Sequence, residues 1–161
     1  MSLEKKPGGF RSRAKGEKRA PAFGNRPMAP RPTRYQPGGD PRALGDVDLA
    51  RAVAFDVLYR VNVEGTYANL ALPKALTEYR LKRRDAAFAT EITYGTLRVQ
   101  GILDIVIAHC SSRPLDSIDP AVLGAIRLGA YQLLYTRVEP HAAVDSAVKI
   151  VAATGNEQAK G

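Results

Sequence analysis

The chain has 161 residues, with 24 Lys and Arg against 16 Asp and Glu, a formal net charge of +8 and one cysteine. That length holds one domain of ordinary size, which can bury a core without a disulfide or a metal. Cys110 has no partner for an intramolecular bridge, the first residues are charged or Gly and Pro instead of apolar, and no run of about 18 apolar residues occurs, so the expectation is a cytoplasmic protein with no export signal and no membrane span.

The charge is concentrated at one end. Residues 1–45 hold eleven Lys and Arg against three acids (Glu4, Glu17 and Asp40), whereas residues 46–161 hold thirteen of each. Pro21, Pro27, Pro30, Pro32, Pro37 and Pro41 recur too closely for a helix. With so few aliphatic residues, residues 1–45 cannot offset their chain entropy by burial, and a disordered, basic Pro/Gly/Arg-rich tail is expected. Phe10, Phe23 and Tyr35 are interleaved with the cations, so the tail could add phosphate contacts and base stacking to a nucleic-acid site. An inert solvated tail is the alternative.

Folded structure is expected from about Asp46 or Asp48, either of which can cap a helix carrying Leu49, Val53, Val57 and Val61 at a spacing near 3.6. Gly65-Thr66 ends that helix and starts a second, with Leu70, Leu72 and Leu76, in which Pro73 removes a backbone donor. A third helix is expected from Arg83 or Asp85 to Arg98, with Phe88, Ile92, Gly95 and Val99 on one stripe. Gly95 costs about 1 kcal/mol of helix propensity relative to Ala, which makes sense if another helix or a ligand approaches closely there. Gly101 is read as the break before a fourth helix with Leu103, Val106, Ile107 and Cys110 on its apolar stripe, stopped by Arg113-Pro114.

Asp119-Pro120 is a strong start signal, a capping carboxylate followed by Pro at the first helical position. The fifth helix carries Leu123, Ile126, Ala130, Leu133 and Leu134 on one side and Ala121, Ala125 and Leu128 on another, which predicts a central helix. Gly124, Arg127 and Tyr131 are left as its solvent or partner face. A last helix follows Pro140, with Val144, Ala147, Val148 and Val151 inward, an i,i+4 pair of Asp145 and Lys149, and Gly155 as its stop. No segment alternates as a strand and no glycine-rich turn joins a strand to a helix, so the fold class is all-α without a nucleotide-binding βαβ unit.

Chemistry-bearing residues are scattered. His109 and His141 fall in different helices and neither sits at metal-ligand spacing from Cys or acids, and His141 beside Pro140 reads as a capping or partly buried structural residue. Cys110 reads as a small core residue. No catalytic, cofactor-binding or metal-binding residue is identified.

The runs Asp85-Ala-Ala-Phe-Ala-Thr-Glu-Ile-Thr-Tyr-Gly-Thr-Leu-Arg98, Arg113-Pro-Leu-Asp116, Asp119-Pro120, Arg127-Leu-Gly-Ala-Tyr-Gln-Leu-Leu134 and Pro140-His-Ala-Ala-Val144 resemble the NusB-like RNA-binding domain. They are most similar to the version at the N-terminus of the RsmB (Sun/Fmu) ribosomal RNA cytosine-C5 methyltransferases. The resemblance covers residues 46–161. It implies an all-α bundle of two packed subbundles that binds ribosomal RNA and is tethered to a C-terminal methyltransferase domain using S-adenosylmethionine and a cysteine nucleophile. That domain is absent from this chain, which also stops where relatives continue into a last helix. Asp145 and Ser146 stand where the family often has Asn-Glu.

The resemblance implies an RNA-binding module that positions ribosomal RNA for the absent catalytic domain. A NusB-type transcription antitermination factor, binding leader RNA with a ribosomal protein, is the competing binding function, and a helical protein-interaction domain without RNA binding is the third. Candidate RNA contacts on the folded part are Arg51, Arg83, Arg84, Arg98 and Arg127, which lie on or at the ends of helices where a fixed guanidinium can meet phosphate bidentately. Each of them could instead pair with an acid or solvate a helix face.

Overall fold

The computed structural model describes residues 35, 36 and 38–155. Among these the architecture is all-α: five helices, two short 3-10 turns and no strand. The basic residues 1–34 and the final residues 156–161 lie outside the described part, and with them the expectations of a disordered tail and of an incomplete last helix.

Helix α1 (Leu49–Glu64) starts where the Asp48 carboxylate accepts the Arg51 backbone N–H at 3.1 Å, and it ends at Gly65, held in the left-handed region at φ 70°. Ala52, Val53, Ala54 and Phe55 are all fully buried, so four successive residues face protein in every direction. Such a helix must be surrounded. On one side Val53 and Val57 meet Leu72 and Ala75 of α2 (Ala68–Glu78), forming a small core cluster. On the other, Phe55 and Leu58 join Ile92 and Leu103 of α3 (Arg83–Cys110), Leu128 of α4 (Pro120–Tyr135) and Ile150 of α5 (Pro140–Ala153) in the main core. Each such side chain contributes about 1.5–3 kcal/mol by leaving water. The two clusters on opposite sides of α1 are the two subbundles.

Several expectations are corrected. Ordered chain begins ahead of Asp46. Tyr35 is buried, its N–H donates to Ala153 O at 2.9 Å, and its hydroxyl donates to Asp56 Oδ1 at 2.7 Å. Asp56, itself buried, also accepts the Gly38 N–H at 2.7 Å and pairs with Arg60 at 2.8 Å, while Arg60 donates to Gly38 O. Pro41 and Leu44, in the 3-10 turn Pro41–Leu44, are buried too. One buried carboxylate with three partners thus straps residues 35–45 across α1, which composition read as tail because the segment is too short to show a period.

Gly101 does not break a helix. α3 runs for 28 residues straight through it. A β-carbon at Gly101 would meet nothing within 4 Å, so the glycine costs only its propensity, and the burial of Leu103 and Ile107 on the continuing face outweighs that. Cys110, the last residue of α3, is exposed instead of core, as is Val106. Pro73 is accommodated inside α2, whose Leu70 is exposed.

The largest correction concerns α4, whose orientation about its axis differs from the sequence reading. Leu133 and Leu134 are 43% and 57% exposed, whereas Gly124 and Tyr131, assigned to the solvent face, are buried. The cost of truncating a buried leucine therefore belongs to Leu128, not Leu133. In α5, Val144 and Val148 likewise point outward and Ala143, Ser146 and Ile150 inward, while Asp145 and Lys149 pair at 2.8 Å as expected.

The reason for the α4 orientation is Gly95. A β-carbon there would overlap the hydroxyl and Cζ of Tyr131 and stand 2.7 Å from its Cε1, so the Tyr131 ring occupies the space that glycine leaves on α3. The tyrosine hydroxyl donates to Glu91 Oε1, one turn earlier on α3, at 2.7 Å. Two glycines on one helix then have opposite consequences. Gly95→Ala is expected to lower stability by about 1–3 kcal/mol through overpacking, despite its better helix propensity. Gly101→Ala, in open space, is expected to raise stability by up to about 1 kcal/mol. Chemical denaturation of the two variants checks both signs.

Candidate nucleic-acid interface

α3 begins with an extended Lys82 at its N-cap that makes no side-chain cap, and Asp85 in the first turn complements the positive end of the helix. Arg83 and Arg84 are exposed there. Arg84 lines a groove of about 540 Å³ together with Arg51, Phe88 and Glu91, and with Thr136 and Arg137 from the link between α4 and α5. The groove thus gathers the start of α1, the start of α3 and the approach to α5.

The structure separates the five sequence-derived candidates into committed and uncommitted guanidiniums. Arg51 is committed. Its Nε donates to Gln132 Oε1 at 2.6 Å, its Nη1 pairs with Asp48 at 2.5 Å, and its guanidinium lies 4.9 Å from the centre of the Phe88 ring. Gln132 is buried and spends its amide N–H on Leu128 O at 3.1 Å, so the arginine is oriented from the core outward. Arg127 is committed as well. Its Nε and Nη2 donate to the two Asp104 oxygens at 2.6 and 2.8 Å, the two-pronged geometry expected for phosphate but met here by a carboxylate of α3. Breaking such a half-buried pair costs more than an exposed one.

Arg83, Arg84 and Arg98 are exposed and make no hydrogen bond or ion pair among the described residues. Arg83 and Arg84 stand together at the helix start. Arg98 lies roughly 22 Å further along the same helix at 1.5 Å per residue. Arg137 was missed. It precedes Pro140 by three residues in a link with no period, and only the fold reveals that this link lies beside Arg84. Of the three acids that line the groove, Asp48 pairs with Arg51, Glu91 accepts the Tyr131 hydroxyl and keeps its charge, and Asp85 makes no ion pair among the described residues. His109 and His141 are both exposed, and no group of three His, Cys, Asp or Glu among the described residues could hold a metal. No helix among them is long and apolar enough to cross a membrane.

Tyr131 reports on the wall behind this groove. Burial first, then the hydrogen bond to Glu91, pushes its phenol up to about 12, with Arg98 pulling weakly the other way. Burial and the bond to Asp56 raise Tyr35 as well. The folded state thus holds both phenols protonated, and the stability they contribute is complete below pH 10 and is lost as pH rises from there through 12 and beyond. A spectrophotometric phenolate titration should show late-titrating tyrosines, one of which titrates at lower pH in Glu91→Ala.

The described residues form a five-helix, all-α bundle with two apolar cores about α1. The NusB family model matches residues 48–161, and the chain belongs to the NusB family. It is 49% identical over 113 residues to a putative methyltransferase of Mycobacterium tuberculosis, covering 68% of this chain and 25% of that protein. It is 36% identical over 107 residues to a probable ribosomal RNA small subunit methyltransferase B of Synechocystis, covering 66% and 24%. A ribosomal RNA small subunit methyltransferase B of Pasteurella multocida is 32% identical over 111 residues. The chain spans about a quarter of the length of these curated relatives. Among solved structures, the antitermination factors NusB and NusE in complex with dsRNA match with a TM-score of 0.63 and 25% identity, over 69% of this chain and 84% of that one.

Proposed function

We propose that this chain is the RNA-binding module of an S-adenosylmethionine-dependent ribosomal RNA (cytosine-C5) methyltransferase, placing ribosomal RNA for a C-terminal catalytic domain of the same protein. The observation that carries this reading is the pair of exposed arginines Arg83 and Arg84 at the start of α3, unpaired among the described residues, in a chain whose relatives at 32–36% identity are named as ribosomal RNA methyltransferases of about four times the matched length. The described residues contain no strand and hence no glycine-rich strand-to-helix turn, so on this reading S-adenosylmethionine would be held by another part of the parent protein. An antitermination role is supported by the fold match to NusB at 25% identity, and the greater identity to methyltransferases favours the first reading.

On this reading Arg83, Arg84 and Arg98 hold RNA phosphates, while Arg51 and Arg127 keep the surface in shape. The double substitution Arg83→Ala with Arg84→Ala should weaken binding of a small-subunit ribosomal RNA fragment and lower the slope of log K against log salt by about 0.7–0.9 per lost contact. Arg127→Ala should lower the melting temperature through the orphaned Asp104 and leave that slope unchanged. Fluorescence anisotropy over a salt series reads both, and a slope that responds to Arg127 but not to Arg83 and Arg84 would overturn this assignment.

A further inference from the structure

The turn between α2 and α3 is closed by a residue poorly suited to it. The Leu81 N–H donates to Leu76 O and the Arg80 N–H to Thr77 O, both at 3.2 Å, the paired bonds that end a helix when the residue after the cap is left-handed. That residue is Arg80, at φ 52°. Every other positive-φ residue among those described is glycine, including Gly65, which closes α1 in the left-handed region. A β-carbon crowds the following carbonyl in this conformation, so glycine would hold the same turn at lower cost.

Arg80 cannot relax out of the turn. Leu81 packs with Leu76 and Tyr79 against the smaller core, and the two backbone bonds anchor the residues on either side. Nor does its side chain contribute to the fold, being exposed and without a hydrogen bond or ion pair among the described residues. What arginine adds is charge at one place: Arg80, Lys82, Arg83 and Arg84 are all exposed, four cations in five residues, with only the half-buried Leu81 turned inward. A strained residue that returns nothing to stability is a mark of function.

Resting on the RNA-binding reading, we propose that Arg80 is a further RNA-backbone contact, held in left-handed geometry so that its guanidinium extends the cationic strip at the start of α3. Its fork and permanent charge suit a phosphate, and a turn fixed by packing presents it with little freedom left to lose.

The test uses the full chain, a labelled RNA hairpin and two substitutions. Arg80→Gly relieves the strain and removes the charge, so it should raise the melting temperature while weakening RNA binding and lowering the salt slope by about 0.7–0.9. Arg80→Lys keeps the charge and the strain and should keep both the slope and the melting temperature. The proposal is overturned if Arg80→Gly leaves affinity and slope unchanged, if it lowers the melting temperature, or if Arg80→Lys loses the slope. Should Arg83→Ala with Arg84→Ala still flatten the slope when Arg80→Gly does not, the RNA-binding reading stands and Arg80 alone falls. Should none of these substitutions alter binding, both fall.

Discussion

The contact on which the rest of the arrangement depends is the seating of Tyr131 on Gly95. Only a residue without a β-carbon leaves room for that ring, and the ring in turn fixes which side of α4 faces α3. Glu91 accepts the tyrosine hydroxyl, and Asp104 holds Arg127 further along the same two helices. With α4 locked at these points, the next residue, Gln132, reaches Arg51 on α1, and the chain leaving α4 brings Arg137 beside Arg84. The groove at the start of α3 is therefore a product of helix packing many residues away.

This explains how the cations divide. Arg51 and Arg127 lie where the bundle needs charge neutralised and stems packed, and each has a carboxylate in reach. Arg80, Lys82, Arg83 and Arg84 lie where α2 gives way to α3 and make no ion pair among the described residues. Ion pairs inside the bundle resist salt better than contacts made in solvent do. A surface built this way keeps its shape at ionic strengths that release a polyanion from it, which suits the proposed RNA-binding role.

Much of the fold was legible in the sequence because its signals are local. Asp48 and Asp119-Pro120 cap their helices as read, Gly65 and Gly155 take positive φ at the helix ends, and the penalty at Gly95 pointed to a close approach. What was not legible depends on partners distant in sequence. α4 is apolar almost all round, so its own residues could not say which side met α3, and Leu133 and Leu134 were assigned inward in place of Tyr131. The long α3 was divided at Gly101 because one glycine reads alike whether it breaks a helix or merely weakens it. Tyr35 looked like part of a basic tail until Asp56 supplied a buried partner. Of the candidate arginines, sequence alone could not separate those with a carboxylate across the bundle from those without, and the left-handed Arg80 gave no signal at all.

Binding of RNA by the folded surface itself, and not only by the basic residues ahead of it, is the central claim. The most direct measurement removes residues 1–34 and follows binding of a ribosomal RNA fragment at low salt alongside thermal unfolding. The account predicts an unchanged melting temperature, retained binding, and a salt slope that is smaller but well above zero, since the lost residues carry ten of the chain's cations. A shortened chain that melts normally yet binds no RNA at low salt would contradict it.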